Sequence, residues 1–164
     1  MYLKFEIFAK GMLTMDMKNV NEFLPIKFLI VLGKLNASVF GTVNKHIKDI
    51  GFNTTEFLIM YAIASNGALT VQDIASRITV TSGNMTYTVD KLEEKELVKR
   101  VRCDEDRRKV FIDFTDKGKG VWSETLAEHM AYMKDAFESI DEETIEETIQ
   151  YMKVIGRMFD KDKQ

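Results

Sequence analysis

The chain has 164 residues, of which 45% are hydrophobic and 30% charged, a composition typical of a soluble globular protein and not of a disordered one. Its formal net charge is −3, and a single cysteine, Cys103, excludes an intramolecular disulfide framework. One proline in the whole chain favours long, uninterrupted helices.

A long helix is predicted over 23–50, after an N-terminal extension over 1–22. Apolar side chains recur there at helical spacing, Pro25 suits a first turn and Gly51 suits the helix end. The longest apolar run, over 28–32, is far shorter than the roughly 20 residues needed to cross a bilayer. No membrane span and no signal peptide are therefore expected, and we expect a cytoplasmic protein.

Three short helices and a hairpin are predicted next. The helices are expected over 53–64, 70–78 and 81–95, because each segment begins with a Ser, Thr, Asn or Asp that can cap a helix. Apolar and polar residues then alternate over 98–103 and 110–114, which predicts two short strands joined by a charged loop. Three helices followed by a hairpin are typical of a winged helix-turn-helix.

Two further amphipathic helices are predicted after Thr115 and Asp141. The predicted fold is mainly α with a small two- to three-stranded wing (α+β). It consists of a winged helix-turn-helix DNA-binding domain over 51–115 and long flanking helices over 23–50 and 116–164. The flanking helices have wide apolar faces that a monomer would leave exposed, so we interpret them as the dimerisation region of a homodimer.

The second helix of the motif is predicted to enter the major groove of double-stranded DNA. Short polar side chains and one aromatic hydroxyl at its start can reach phosphate oxygens and base edges. Basic residues outnumber acids over 95–109, although acids predominate from 116 onward, which suits a protein that touches phosphates with one face. The candidate DNA-binding residues of this helix are Thr81, Ser82, Asn84, Thr86 and Tyr87.

The hairpin loop adds the candidates Asp106, Arg107 and Arg108. An arginine at a hairpin tip can enter the minor groove, where narrow segments concentrate negative potential. A carboxylate two residues earlier can hold that guanidinium through a bidentate pair, and Asp106 and Arg108 have this spacing.

Four segments resemble consecutive signatures of the MarR family of winged helix-turn-helix transcription regulators: 82–93, 97–98, 104–108 and 114–118. The first of them, S-G-x-x-T-Y-x-x-D-K-L-E, is similar to Gram-positive regulators of the quinone- and catechol-responsive type. The resemblance implies an obligate dimer on a pseudo-palindromic operator, usually a repressor that a small-molecule ligand or an oxidant releases from DNA. A small aromatic ligand, phenolic or quinone-like, is the implied partner besides DNA.

Two positions carry open alternatives. Glu96 stands where the family usually has glycine; either this residue is left-handed, at a cost on the order of 1 kcal/mol, or the turn is built differently. Cys103, beside Arg102, is either a thiol sensor whose reactive form the arginine favours or a small, inert apolar residue.

Other chemistry has little support in the sequence. His46 and His129 are the only histidines and form no close group with other ligands, so no metal site and no cofactor are expected. No catalytic residues are predicted, because the chain has neither a Gly-rich phosphate loop nor a nucleophile motif. The alternative function is a winged-helix module that docks onto another protein without binding DNA.

Overall fold

The computed structural model describes residues 23–78, 85–102, 106 and 108–159. The chain divides into two compact units, the first ending at Thr54 and the second beginning at Thr55. The described residues are mostly helical with one small antiparallel sheet, so the predicted fold class is confirmed.

Helix α1 (Leu24–Asp49) lies in the first unit and has 26 residues. Pro25 lies in its first turn, where the missing N–H of proline is not needed. The helix ends as the backbone N–H of Ile50 donates to the carbonyl of His46, and Gly51 follows with φ +90°. The helix predicted over 23–50 is confirmed to within one residue at each end.

The composition of α1 qualifies the expectation that no segment spans a membrane, which was drawn from the length of the longest apolar run. Its most apolar 18-residue window has a mean hydropathy of 1.5, which meets the length and composition of a membrane-spanning helix. Averaging over a window tolerates interruptions such as Gly33 and Lys34, which end the longest apolar run. Length and composition are also those of an apolar helix that packs against protein.

The other elements among the described residues are five helices and three strands. The helices are α2 (Thr54–Asn66), α3 (Val71–Arg77), α4 (Met85–Glu94), α5 (Asp116–Ala136) and α6 (Glu142–Phe159). The strands are β1 (Leu69–Thr70), β2 (Val98–Arg102) and β3 (Val110–Phe114), and they form an antiparallel sheet in the order β1-β3-β2.

Side-chain caps start three of these helices where the sequence predicts them. The Thr70 hydroxyl accepts a hydrogen bond from the backbone N–H of Asp73, whose carboxylate reaches back to Thr70 in a capping box. Hydrogen bonds from Thr70 lower the pKa of Asp73. Thr115 and Asp141 cap α5 and α6, and each side chain accepts a hydrogen bond from the backbone N–H three residues later.

The core of the second unit lies between the short helices and the sheet. Its fully buried side chains come from α2, α3, α4, β2 and β3: Ile59, Met60, Ile63, Ile74, Val89, Leu92, Val98 and Ile112. An aromatic cluster joins the start of α5 to this core, because the ring of Trp122 lies 5.1 Å from Phe57 and 6.3 Å from Phe114.

Candidate nucleic-acid interface

Helices α3 and α4 occupy the positions of a helix-turn-helix, with α4 as the recognition helix. Met85, Val89 and Leu92 are buried, as the spacing of apolar residues predicts, and they attach α4 to the core. The opposite face of its first turn exposes Thr86 and Tyr87. α4 therefore presents polar side chains from the half of the helix that approaches base edges in such motifs.

Two of the five candidate residues on this helix are described. Thr86 and Tyr87 lie on its outer face, whereas Thr81, Ser82 and Asn84 lie outside the described residues. Lys91 follows Tyr87 by one turn, and its Nζ lies 5.5 Å from the centre of the Tyr87 ring. A hydrogen bond to Glu94 raises the pKa of Lys91.

The outer face of α4 also carries two carboxylates that meet an arginine from the sheet. Arg100 of β2 donates from Nη2 to Oδ1 of Asp90 at 2.5 Å and from Nη1 to a carboxylate oxygen of Glu93. The bond to Asp90 is the main reason that the pKa of Arg100 is raised. Sequence reasoning missed this pair of contacts, because the acids and the arginine lie on different elements.

A second ion pair attaches the far end of α4 to α2. Lys95 donates from Nζ to Oε1 of Glu56 at 2.7 Å, and Glu56 is only 4% exposed. A buried carboxylate is stable only when it is paired or hydrogen-bonded. The sequence places Glu56 in the capping pattern of α2, and its pairing with a residue 39 positions away has no local signal.

The wing arginine is held by the carboxylate that the sequence predicts. Oδ1 of Asp106 accepts hydrogen bonds from the backbone N–H of Arg108 at 3.1 Å and from its Nε at 3.2 Å. One oxygen thus receives both bonds, in place of the expected two-oxygen fork. These bonds lower the pKa of Asp106, and the Arg108 side chain remains 91% exposed. Arg107 and Cys103 lie outside the described residues.

The turn between α4 and β2 contains a residue with a left-handed backbone. The sequence left open whether Glu96 is left-handed or the turn is built differently. Glu96 has φ +59°, so the strain expected of a non-glycine residue is present. Its carboxylate pairs with Lys117, with Nζ and Oε2 2.9 Å apart, and this contact lowers the pKa of Glu96. The hydroxyl of Thr115 donates to the Glu96 carbonyl at 2.6 Å.

Gly118 lies against the same turn, and its contacts explain why the segment 114–118 has a threonine and a glycine three residues apart. A Cβ atom added at this position would lie 1.8 Å from the carbonyl oxygen of Leu97. The backbone N–H of Gly118 donates to the Thr115 hydroxyl at 2.9 Å, and the N–H of Thr115 donates to the Leu97 carbonyl at 3.1 Å. The start of α5 therefore contacts the turn after the recognition helix backbone to backbone, and only glycine fits at position 118.

The described residues contain no group of three or more His, Cys, Asp and Glu side chains that could hold a metal ion.

Comparison with known proteins decides the family. The MarR family profile matches residues 52–110. The HTH-type transcriptional regulator MhqR of Bacillus subtilis is 35% identical over 131 residues, which cover 80% of this chain and 90% of that protein. The chain belongs to the MarR family. As the resemblance implied, this MarR-family protein is a winged helix-turn-helix transcription regulator.

Solved structures agree with the MarR fold. The transcriptional regulator BldR from Sulfolobus solfataricus superposes with a TM-score of 0.68 at 23% identity, over 87% of this chain and 99% of that one. CouR from Rhodococcus jostii RHA1, bound to p-coumaroyl-CoA, gives a TM-score of 0.65 at 22% identity, over 76% and 88%. At these identities the likeness concerns the fold.

Proposed function

We propose that this protein is a cytoplasmic, homodimeric repressor that binds a pseudo-palindromic operator. α4 lies in the major groove and Arg108 enters the minor groove. One observation carries the proposal: the wing exposes an arginine held by Asp106, and the recognition helix exposes Thr86 and Tyr87 on its outer face. The candidate residues Thr81, Ser82, Asn84 and Arg107 belong to the same proposed surface.

The homodimer is supported by the apolar side chains of α6. This helix has no buried residue in a single copy, and the apolar side chains of Ile149, Met152, Met158 and Phe159 are exposed. Soluble proteins rarely expose a contiguous apolar patch of this kind. In a symmetric dimer, the same surface of a second copy covers it. We extend the same reasoning to 23–50, so that the apolar surface of α1 packs against protein and not lipid.

Release from DNA is proposed to follow binding of a small aromatic ligand, phenolic or quinone-like. CouR is bound to p-coumaroyl-CoA, an ester whose acyl group is phenolic, so the fold accommodates such chemistry in that protein. Oxidation of Cys103 is the alternative trigger, because its neighbour Arg102 favours the reactive thiolate. A titration of the protein–DNA complex with phenols and with oxidant separates the two.

The first test of DNA binding is its dependence on salt. Affinity for duplex DNA is expected to fall steeply as salt rises, because phosphate contacts release counterions.

Arg108→Ala should weaken operator binding by about 1–3 kcal/mol and leave the dimer intact. The matched control is Lys153→Ala, which removes one positive charge from α6 and should leave binding nearly unchanged. A wild-type protein that binds no duplex at low salt would instead favour the docking module.

A further inference from the structure

Two carboxylates on the recognition helix lie where their negative charge would oppose DNA binding. Thr86, Asp90 and Glu93 follow one another at spacings of four and three residues, so they form one row on the surface of α4. Thr86 is a proposed DNA contact of that row. A carboxylate within a Debye length of phosphates, about 8 Å at physiological salt, weakens binding by charge repulsion.

Arg100 is the residue that meets both of these carboxylates. Its two terminal nitrogens bond one acid each, Nη2 to Asp90 and Nη1 to Glu93, so a single side chain from β2 spans one turn of α4. Its side chain is 35% exposed, against 91% for Arg108. The planar fork of arginine suits this double contact, whereas a lysine offers a single point charge.

Resting on the proposed function, we propose that Arg100 is a positioning residue for DNA recognition. It offsets the charges of Asp90 and Glu93 and links α4 to β2 through these two carboxylates. In this way Thr86 and Tyr87 meet DNA without two uncompensated carboxylates beside them. Arg100 thus supports DNA binding through the recognition helix, and direct contact with phosphate is not its role.

The test compares Arg100→Ala with a matched variant, Arg102→Ala. Arg102 lies two residues further along β2, on the same face of the strand, is exposed, and has no ion pair among the described residues. Both variants remove one positive charge. With mixed-sequence duplex DNA at low salt as the probe, Arg100→Ala should bind at least about ten-fold more weakly, and Arg102→Ala less than about three-fold. Equal losses in the two variants would overturn the proposal.

A double-mutant cycle then separates charge compensation from phosphate contact. Asp90→Asn with Glu93→Gln should raise affinity in any background, because two negative charges are removed. The gain should be at least about five-fold larger in the Arg100→Ala background than in the wild type, since only there are the carboxylates uncompensated. If Arg100 contacted phosphate, the two gains would be equal and the proposal would be wrong.

Two further measurements keep these outcomes distinct. Thermal unfolding of each variant identifies any loss of binding that comes from misfolding. Arg100→Lys, which keeps the charge and most of the stem, should fold normally and recover only part of the affinity; full recovery would contradict the need for a two-armed contact. Wild-type protein that fails to bind duplex DNA would refute the proposed function. If the wild type binds DNA but the affinity gains in the two backgrounds are equal, only the role proposed for Arg100 is refuted.

Discussion

Glu96 adopts φ +59° at the end of the recognition helix, a conformation that costs a non-glycine residue roughly 1–2 kcal/mol. Two contacts of this residue offset part of that cost. Its carboxylate pairs with Lys117, and its carbonyl accepts a hydrogen bond from Thr115. The carbonyl contact does not depend on the side chain, so only the ion pair distinguishes glutamate from other non-glycine residues here.

Glu96→Gly is expected to raise the free energy of unfolding by up to about 1 kcal/mol. Removal of the left-handed strain outweighs the loss of an exposed ion pair and the greater freedom of glycine in the unfolded chain. Urea denaturation measures the difference. Glu96→Ala is the control: it keeps the strain, loses the pair with Lys117 and should be slightly less stable than wild type. A glycine variant less stable than the alanine variant would contradict this account.

Asp106→Asn is expected to weaken DNA binding only slightly, because its partner Arg108 is almost fully exposed and solvent screens the pair. The pKa of Asp106 is lowered in the folded protein. Its contact with Arg108 is therefore complete above the usual aspartate pKa, about 3.9, and is lost only as the pH falls through the lowered value. The ratio of wild-type to variant affinity should stay constant between pH 8 and pH 5.5. A ratio that changes within this interval would show that another group controls the wing.

At the scale of elements, capping residues predicted the helix starts well. Thr70, Thr115 and Asp141 each accept a hydrogen bond from the backbone N–H three residues later, and that contact is local in sequence. Strand β1 was not named among the predicted strands, because two residues carry no alternation. Its pairing of Leu69 with Ile112 depends on a distant strand.

Gly118→Ala should be among the most damaging single substitutions in α5. Its methyl group would overlap the carbonyl oxygen of Leu97, and overpacking against backbone costs about 1–3 kcal/mol. Gly120 provides the control, because a Cβ there meets nothing within 4 Å and Gly120→Ala should be neutral or stabilising by up to about 1 kcal/mol. Thermal unfolding of the two variants compares them directly. If Gly118→Ala were as stable as Gly120→Ala, the close approach to Leu97 would be wrong.

At the scale of the whole molecule, the fold and the family follow from the sequence, and the charge contacts of the interface do not. The Asp106–Arg108 pair spans two residues and was predictable. The bridge from Arg100 to Asp90 and Glu93, like the pair between Glu56 and Lys95, joins separate elements. Such pairs depend on how the elements pack, and no spacing along the chain reports that packing.

The proposed homodimer makes a prediction at the same scale. Ile149→Glu places a charge on an apolar residue of α6 that is 44% exposed in one copy, and it should convert the dimer to monomer in sedimentation experiments without detergent. Gln150→Glu adds the same charge next along the helix, on a different face, and should leave the dimer intact. A wild-type protein that needs detergent to stay in solution would instead indicate that the apolar surface of α1 meets lipid.

The contact of Gly118 with Leu97 has a mechanical consequence. The start of α5 meets the backbone of the turn that follows α4 there, so a rotation of α5 that this contact transmits would turn α4 about nearly the same point. α5 has 21 residues and is about 30 Å long, so a displacement of about 3 Å at its far end corresponds to a rotation of about 6°. The same rotation moves Thr86, about 13 Å along α4 from the turn, by more than about 1 Å. Hydrogen bonds tolerate only a few tenths of an ångström, so in the proposed binding mode a modest movement at the distant end of α5 would take the recognition helix out of register with the bases.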